Sequence, residues 1–494
     1  MVSAYIAFDL GASNGRCILG WFDGNRLSLD VLHRFDNGPV ELNGHLYWDI
    51  LGIYSNIRND LIQLGQKKSG EIQSIGVDSW GCDFALLDRQ GKLVCNPYSY
   101  RDPQTVGIVP RLFDRMSRED IFRITGLQFI EPNSLAQLHA MQLNQDPVLE
   151  NATTFQHIGD LMHYWLTGVI ACEYTNASTS QIMDVQSHKW SSEIIEGFGF
   201  NPKIFPEIIP AGTHLGKLRS TLLADTRLNG VQVIASATHD TAAAIASTPV
   251  TQGPYAYISS GTWALLGVET TRPVLNPDCL SLNFANEGGA FGTITLLKNI
   301  TSLWLIQECR RQWSLEGKIL TWEELSEMAL TAKPFLAFLD PDDPIFTRPG
   351  NMIGRIQQYC QQSGQIVPET KGELLRIIFE SLAFKYRFVL QSLISLTQEQ
   401  IAVLHIIGGG SRNMLLNQFT ANATCLQVQS GPAEATALGN ILVQMMAMGE
   451  LDSLEDARSL VLNSFSTTIF TPIDIDQWDE NYSRFLKVTG LPIK

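Results

Sequence analysis

AYIAFDLGASNGRCILGWF (residues 4–22) and AYISSGTWALLGVE (residues 256–269) lie about half the chain apart and read alike. Each is a β-branched and aromatic run, a turn of Gly with Ser, Thr or Asn, and a second run of strand type. Glycine lets backbone N–H groups come close to phosphate oxygens, and the neighbouring hydroxyl and amide side chains add donors. One chain with two such hairpins is expected to carry two copies of one nucleotide cradle. Arg16 adds a fixed cation to the first copy, whereas Ser259, Ser260, Gly261 and Thr262 of the second offer donors only.

Around the first hairpin, LSLDVLHRF predicts a third strand, LYWDILGIYSNIRNDLIQLG a helix, and SIGVDSWGCDFALLD two more strands. Residues 101–225 read as mostly helical. The strand VQVIASA (231–237) then runs into the Ala-rich helix start THDTAAAIAS. TPVTQGP (248–254) combines two prolines with a glycine and no charge, which predicts a hinge. The second half continues with the strand-to-helix run TITLLKNITSLWLIQECRR, a long helix from about Lys371, the strand IAVLHIIGGG and a helix starting near Ser411. AEATALGNILVQMMAMG follows as a buried helix. The division expected is residues 1–243 and 244–494.

With 494 residues, of which 45% are hydrophobic and 17% charged, the chain can bury large cores in more than one domain. Its 35 basic and 50 acidic residues give a formal net charge of -15, which argues against nucleic-acid or anionic-membrane partners. The 8 cysteines are scattered without a CxxC pair, and no histidine cluster has ligand spacing, so neither a disulfide framework nor a zinc site is predicted. The N-terminus lacks signal-peptide regions, and the uncharged run at 241–268 is broken by Pro249, Gly253, Pro254 and Gly261. A cytoplasmic location is expected.

Several segments carry candidate chemistry. GASNG matches the G-x-S-x-G nucleophile elbow, but RCILGWF reads as a strand where an elbow needs a helix, so a hydrolase is rejected. No Walker A or GxGxxG pattern is present. THDTA sets His239, Asp240 and Thr241 at a strand's carboxyl end, the usual ligand position in α/β folds, where a carboxylate can serve as general base or merely cap the helix. GVDSWGCDF gathers Asp78, Trp80 and Asp83 around Gly81, a pattern that suits a sugar site or a plain hairpin. IIGGGSRN offers a glycine turn near a helix start against which a base or ribose can lie.

Taken in order, DLGASNGR (9–16), VDSWGCDF (77–84), HDTA (239–242), SSGTW (259–263), LKNI (297–300) and GGGSRN (408–413) resemble the FGGY family of carbohydrate kinases. The resemblance extends through EYTNASTSQ (173–181), NEGGAFGT (286–293) and LLNQFTANA (415–423). It implies an α/β fold of two ribonuclease-H-like domains, of the actin and sugar-kinase type, with a hinged cleft. The first domain would hold sugar and phosphates, the second the nucleotide. It implies ATP with Mg²⁺, and a ketose acceptor, L-rhamnulose at its 1-hydroxyl, with L-fuculose or another ketose as the alternative. An actin-like nucleotide switch is the rival from another class. Carried over, Ala12, Ser13, Asn14, Gly15, Arg16 and Thr262 would hold ATP phosphates, with Gln307 and Gly409 near the nucleotide. Gly81, His239, Asp240, Thr241 and Asn299 would contact the sugar, Asp240 as catalytic base, and Asp9 would approach magnesium through water. Gln104, in YRDPQT, stands where much of the family carries a basic residue. A monomer or homodimer is expected.

Overall fold

Strand β1 (Ser3–Leu10) is buried from Ala4 to Leu10, as the centre of a sheet covered on both faces requires. In the computed structural model, which describes residues 2–68, 71–250 and 253–492, β1 pairs antiparallel with β2 (Asn14–Phe22), and β2 with β3 (Leu27–Asp36). Helix α1 (Ile50–Lys68) leads to β4 (Ile72–Ser79), which lies parallel to β1 on its other side. After helix α2 (Ile158–Thr167) come β5 (Thr213–Lys217) and β6 (Gln232–Ala235). β6 is parallel to β4, β5 closes the edge antiparallel, and the order is β5-β6-β4-β1-β2-β3.

Helix α3 (Asp240–Ala246) follows, and the second hairpin is β7 (Tyr255–Ser260) with β8 (Trp263–Thr270). Then come β9 (Ile294–Thr301), α4 (Trp304–Leu315), α5 (Lys371–Thr397), β10 (Val403–Ile407), α6 (Met414–Thr424), β11 (Gln427–Ser430), α7 (Ala435–Ala447) and β12 (Thr468–Phe470). In the second sheet the strand Ala285–Gly288 forms one edge and β9-β8-β7-β10-β11-β12 follow in that order, with β7 parallel to β10, β10 parallel to β11, and β12 antiparallel at the other edge. Read from the hairpin outward, six strands of each sheet follow one plan, and the second adds Ala285–Gly288 beyond β9. They differ in connectivity: the far edge strand precedes its neighbour in the first and follows it in the second.

The chain forms two compact units, neither a continuous run. One comprises Met1–Thr251, Glu269–Leu296 and Ala435–Ser464; the other comprises Gln252–Val268, Leu297–Glu434 and Phe465–Lys494. Thr251 and Gln252 of the expected hinge lie outside the described residues. In the first unit, Ile6, Phe8 and Leu10 of β1 pack with Ile53, Ile57 and Leu61 of α1 and Leu161 of α2. The intervening β1 positions turn to the opposite side, because side chains alternate along a strand. There α7 lies against the sheet, its Gln444 Nε2 donating to the Ile6 carbonyl at 2.9 Å.

Three local expectations change. Leu46, Tyr47 and Trp48 are not helical: His45–Trp48 is a strand paired with Pro39–Leu42. Asp49 Oδ1 accepts from Gly52 N at 3.1 Å, so the helix starts after it. Residues 101–225 alternate short helices with short strands, none of the helices exceeding the 10 residues of Ser134–Leu143 and Ile158–Thr167. The helix expected near Ser411 begins at Met414, behind a 3₁₀ turn over Gly409–Arg412, because Asn413 caps it by accepting from Leu416 N. Among the described residues, no helix is long and apolar enough to cross a membrane.

Candidate active site

Three parallel strands of the first unit end side by side, and each brings a carboxylate. Asp9 and Asp78 are register partners near the ends of β1 and β4. Ser79 bridges to His239, carrying the β4 ladder beyond β6 and setting Asp240 at the first position of α3. Arg16 is the cross-strand partner of Asp9 in the β1–β2 hairpin, and their side chains form an ion pair. Asp78 is fully buried, with Oδ2 accepting from Asn440 Nδ2 at 2.6 Å. Burial and then the Asp9 charge hold its carboxyl well above the usual range. Burial, again followed by Asp9, pushes Asp240 up to about 7, while Arg16 pulls the other way. Asp240 remains reachable, its side chain 31% exposed. A carboxylate poised near neutrality at the ends of parallel strands has the protonation behaviour of a general base.

His239 lies against Asp240, Nε2 at 3.5 Å from Oδ1, and its Nδ1 is 3.5 Å from Glu287 on the strand Ala285–Gly288. Burial pulls the imidazole down to about 3, so it is neutral and can donate from one nitrogen and accept at the other. Gly81 sits beside it: a Cβ there would lie 3.1 Å from both Cδ2 and Nε2 of His239. Thr241 Oγ1 donates to Asp240 Oδ1 at 3.2 Å. Thus Gly81, His239, Asp240 and Thr241 form one cluster, to which Glu287 is an addition that the sequence reading lacked.

The tryptophan segment is corrected. Trp80 is 4% exposed and Asp83 fully buried. Asp83 Oδ2 accepts from Trp48 Nε1 at 2.6 Å, Trp80 Nε1 at 2.9 Å and Tyr100 N at 3.1 Å, and Oδ1 accepts from Gln137 Nε2 at 2.8 Å. These groups hold the loop and present nothing to a sugar. Nor is the segment a hairpin, since Phe84–Leu87 pairs with Thr154–His157.

At the first turn, Gly11 N donates to Asn14 O at 2.9 Å, and Asn37 donates from Nδ2 to Gly11 O at 2.7 Å. Ala12 is half-buried, and Ser13 and Asn14 are exposed at the tip. Gly15 is buried under Phe35, whose ring occupies the space of a Cβ. In the second unit Thr262 O accepts from Trp304 N at 3.1 Å, which ties the turn to the start of α4, and Gln307 stands one turn along that helix. The Ser260 hydroxyl fills the space where Gly410 would carry a Cβ, which brings the glycine turn against the hairpin, and Gly409 beside it is exposed. Asn299, half-buried, is on β9 of this unit.

A family model for the N-terminal domain of the FGGY carbohydrate kinases matches residues 4–246, and one for the C-terminal domain matches residues 256–448. A rhamnulokinase from Bacteroides thetaiotaomicron is 42% identical over 485 residues, covering 98% of this chain and 99% of that protein. A rhamnulokinase from Bacillus subtilis is 38% identical, covering 96% of each. Among solved structures, a xylulose kinase from Lactobacillus acidophilus superposes with a TM-score of 0.81 at 15% identity over 98% of this chain and 97% of the other. A Plasmodium falciparum glycerol kinase with ADP gives 0.78 at 17% identity, over 98% of this chain and 97% of the other.

Proposed function

This chain belongs to the FGGY family of carbohydrate kinases, and we propose that it transfers the γ-phosphoryl group of ATP to the 1-hydroxyl of L-rhamnulose, giving L-rhamnulose 1-phosphate and ADP. Identity of 42% and 38% to proteins named rhamnulokinase, across nearly the full chain, supports this acceptor over L-fuculose or another ketose. The observation that carries the chemistry is Asp240: a reachable carboxylate held near neutrality at the joined ends of three parallel strands. We assign the enzyme to the cytoplasm.

In this reading Asp240 takes the proton as the hydroxyl attacks phosphorus. Neutral His239 and Thr241 bond the sugar hydroxyls, Gly81 gives the ring room against His239, and Asn299 adds a further sugar contact. Arg16 and the turn Ala12–Gly15 receive phosphate oxygens, as does Thr262, and Gln307 and Gly409 border the nucleotide. Among the described residues, no group of three or more His, Cys, Asp or Glu could cage a metal. The single carboxylate of Asp9 at the end of β1 beside the turn fits Mg²⁺, which usually takes one or two carboxylates and otherwise nucleotide phosphates and water. Asp9 would hold its water shell; when bound, the ion supplies charge neutralisation on the phosphates.

ADP release across a panel of ketoses tests the reading. L-rhamnulose should give the highest kcat/KM. A higher value for L-fuculose or another ketose would reassign the acceptor, and ADP release indifferent to every sugar would favour a nucleotide switch.

A further inference from the structure

We propose that Glu173 is a positioning residue that fixes the catalytic strand end and through it the placement of Asp240, an inference that rests on Asp240 being the base. Glu173 is fully buried. Its Oε2 accepts from Thr238 N and Thr238 Oγ1, both at 2.9 Å, and from Thr175 Oγ1 at 2.5 Å. Oε1 accepts from Thr175 N at 3.0 Å. Thr175 Oγ1 in turn accepts from His239 N at 3.1 Å. The two backbone N–H groups immediately before Asp240 are therefore held by one carboxylate, directly at Thr238 and through Thr175 at His239. His239 O then accepts from Ala243 N at 3.0 Å, so the held peptide runs straight into the first turn of α3.

The same short segment reaches the other wall of the cluster. Thr179 Oγ1 accepts from Cys82 N at 3.0 Å, next to Gly81. The Glu173 amide donates to Asp160 Oδ1 on α2 at 3.1 Å, which anchors the carboxylate's own backbone. A buried carboxylate is costly unless its lone pairs are filled, and here four donors fill them while a single oxygen collects three. An amide cannot fill every bond: in Glu173→Gln the N–H₂ group faces either Thr175 N or Thr238 N, so one backbone donor loses its acceptor in either orientation. The peptide before Asp240 would then shift, and a misplacement on the order of 1 Å at a reacting group can cost about 10²-fold in rate.

The test compares E173Q, T238V, D240N and the double variant D240N/E173Q by kcat, sugar KM, ATP KM and Tm. E173Q should lower kcat by about 10- to 100-fold, with ATP KM little changed. T238V, which removes one donor and keeps the carboxylate, should lower kcat less, in the same direction. In the D240N background, E173Q should cost no further kcat, because Glu173 acts through Asp240. Wild-type kcat in folded E173Q, or the same fractional loss with and without Asp240, overturns the inference. If E173Q does not fold, T238V decides on the same terms: a lowered kcat supports the inference and an unchanged kcat overturns it. Near-normal turnover in D240N alone sinks the base assignment itself, an outcome distinct from an inactive D240N beside a normal E173Q.

Discussion

The raised carboxyl of Asp240 fixes a pH dependence. Only the ionised form can accept the hydroxyl proton, and with a value of about 7 half the free enzyme is competent at that pH. One unit lower about a tenth is competent, so kcat/KM for the sugar should fall about tenfold from its plateau by pH 6. The profile should be taken from pH 5 to 9 by ADP release, with nucleotide below saturation so that it reports the free enzyme. Neighbouring charges add a test of sign. Asp9 raises Asp240 and Arg16 lowers it, so Asp9→Asn should move the acid limb down and Arg16→Ala should move it up. The same group predicts a stability trend. A carboxyl raised by folding contributes stability that is fully present below its unfolded value and is lost as pH climbs through the folded one. Asp240→Asn lacks that loss. Its advantage over the parent should grow between pH 4 and pH 7, by about 4 kcal/mol at most. Screening at a side chain 31% exposed reduces this to about 1–2 kcal/mol. A flat kcat/KM between pH 6 and 8, or limbs that shift the same way in both charge variants, would refute the reasoning.

Gly81→Ala places a methyl 3.1 Å from His239 and 3.2 Å from Thr179 Cγ2. Sugar KM should rise by about tenfold while ATP KM holds, and an unchanged sugar KM would count against Gly81 as part of the sugar pocket. Asp83→Ala strips the acceptor from four neutral donors, each costing about 1–3 kcal/mol when left buried and unsatisfied, so it should lower Tm markedly with the sugar KM of the folded enzyme retained. A raised sugar KM at an unchanged Tm would restore Asp83 as a sugar ligand.

What the sequence disclosed was local. The repeat of AYIAFDL and AYISSG is visible because a strand, a glycine turn and a strand are short-range patterns, and the two sheets built on them share the order of six strands. The proposed base was visible because Asp240 follows a strand and starts a helix. Burial was not. Asp83 beside Gly81 looks like a ligand until Trp48 and Gln137, 35 and 54 residues away, close on it. Glu173 likewise meets Thr238 across 65 residues. Its one available signal was an acid at the head of the otherwise uncharged run YTNASTSQ. Asp49 and Asn413 were legible as caps and would have corrected both misplaced helix starts.

The division at residue 244 describes the repeat in sequence, but the first unit's site depends on residues from beyond it. Helix α7 packs against α3 and β1, and Gly439 has no Cβ because the Ala243 carbonyl occupies that space. Ala242, Ala243 and Ala246 give α3 the narrow face that this approach requires, which is a packing reason for the alanines after Asp240. On the sheet side, Gly76 leaves room for Asn440 and Gln444, and Asn440 holds Asp78. The strand ends that carry Asp9, Asp78 and Asp240 are therefore clamped by Glu173 from one segment and by α7 from another. Both clamps act on backbone or on a buried carboxylate, so substitutions there should register in kcat as well as in stability.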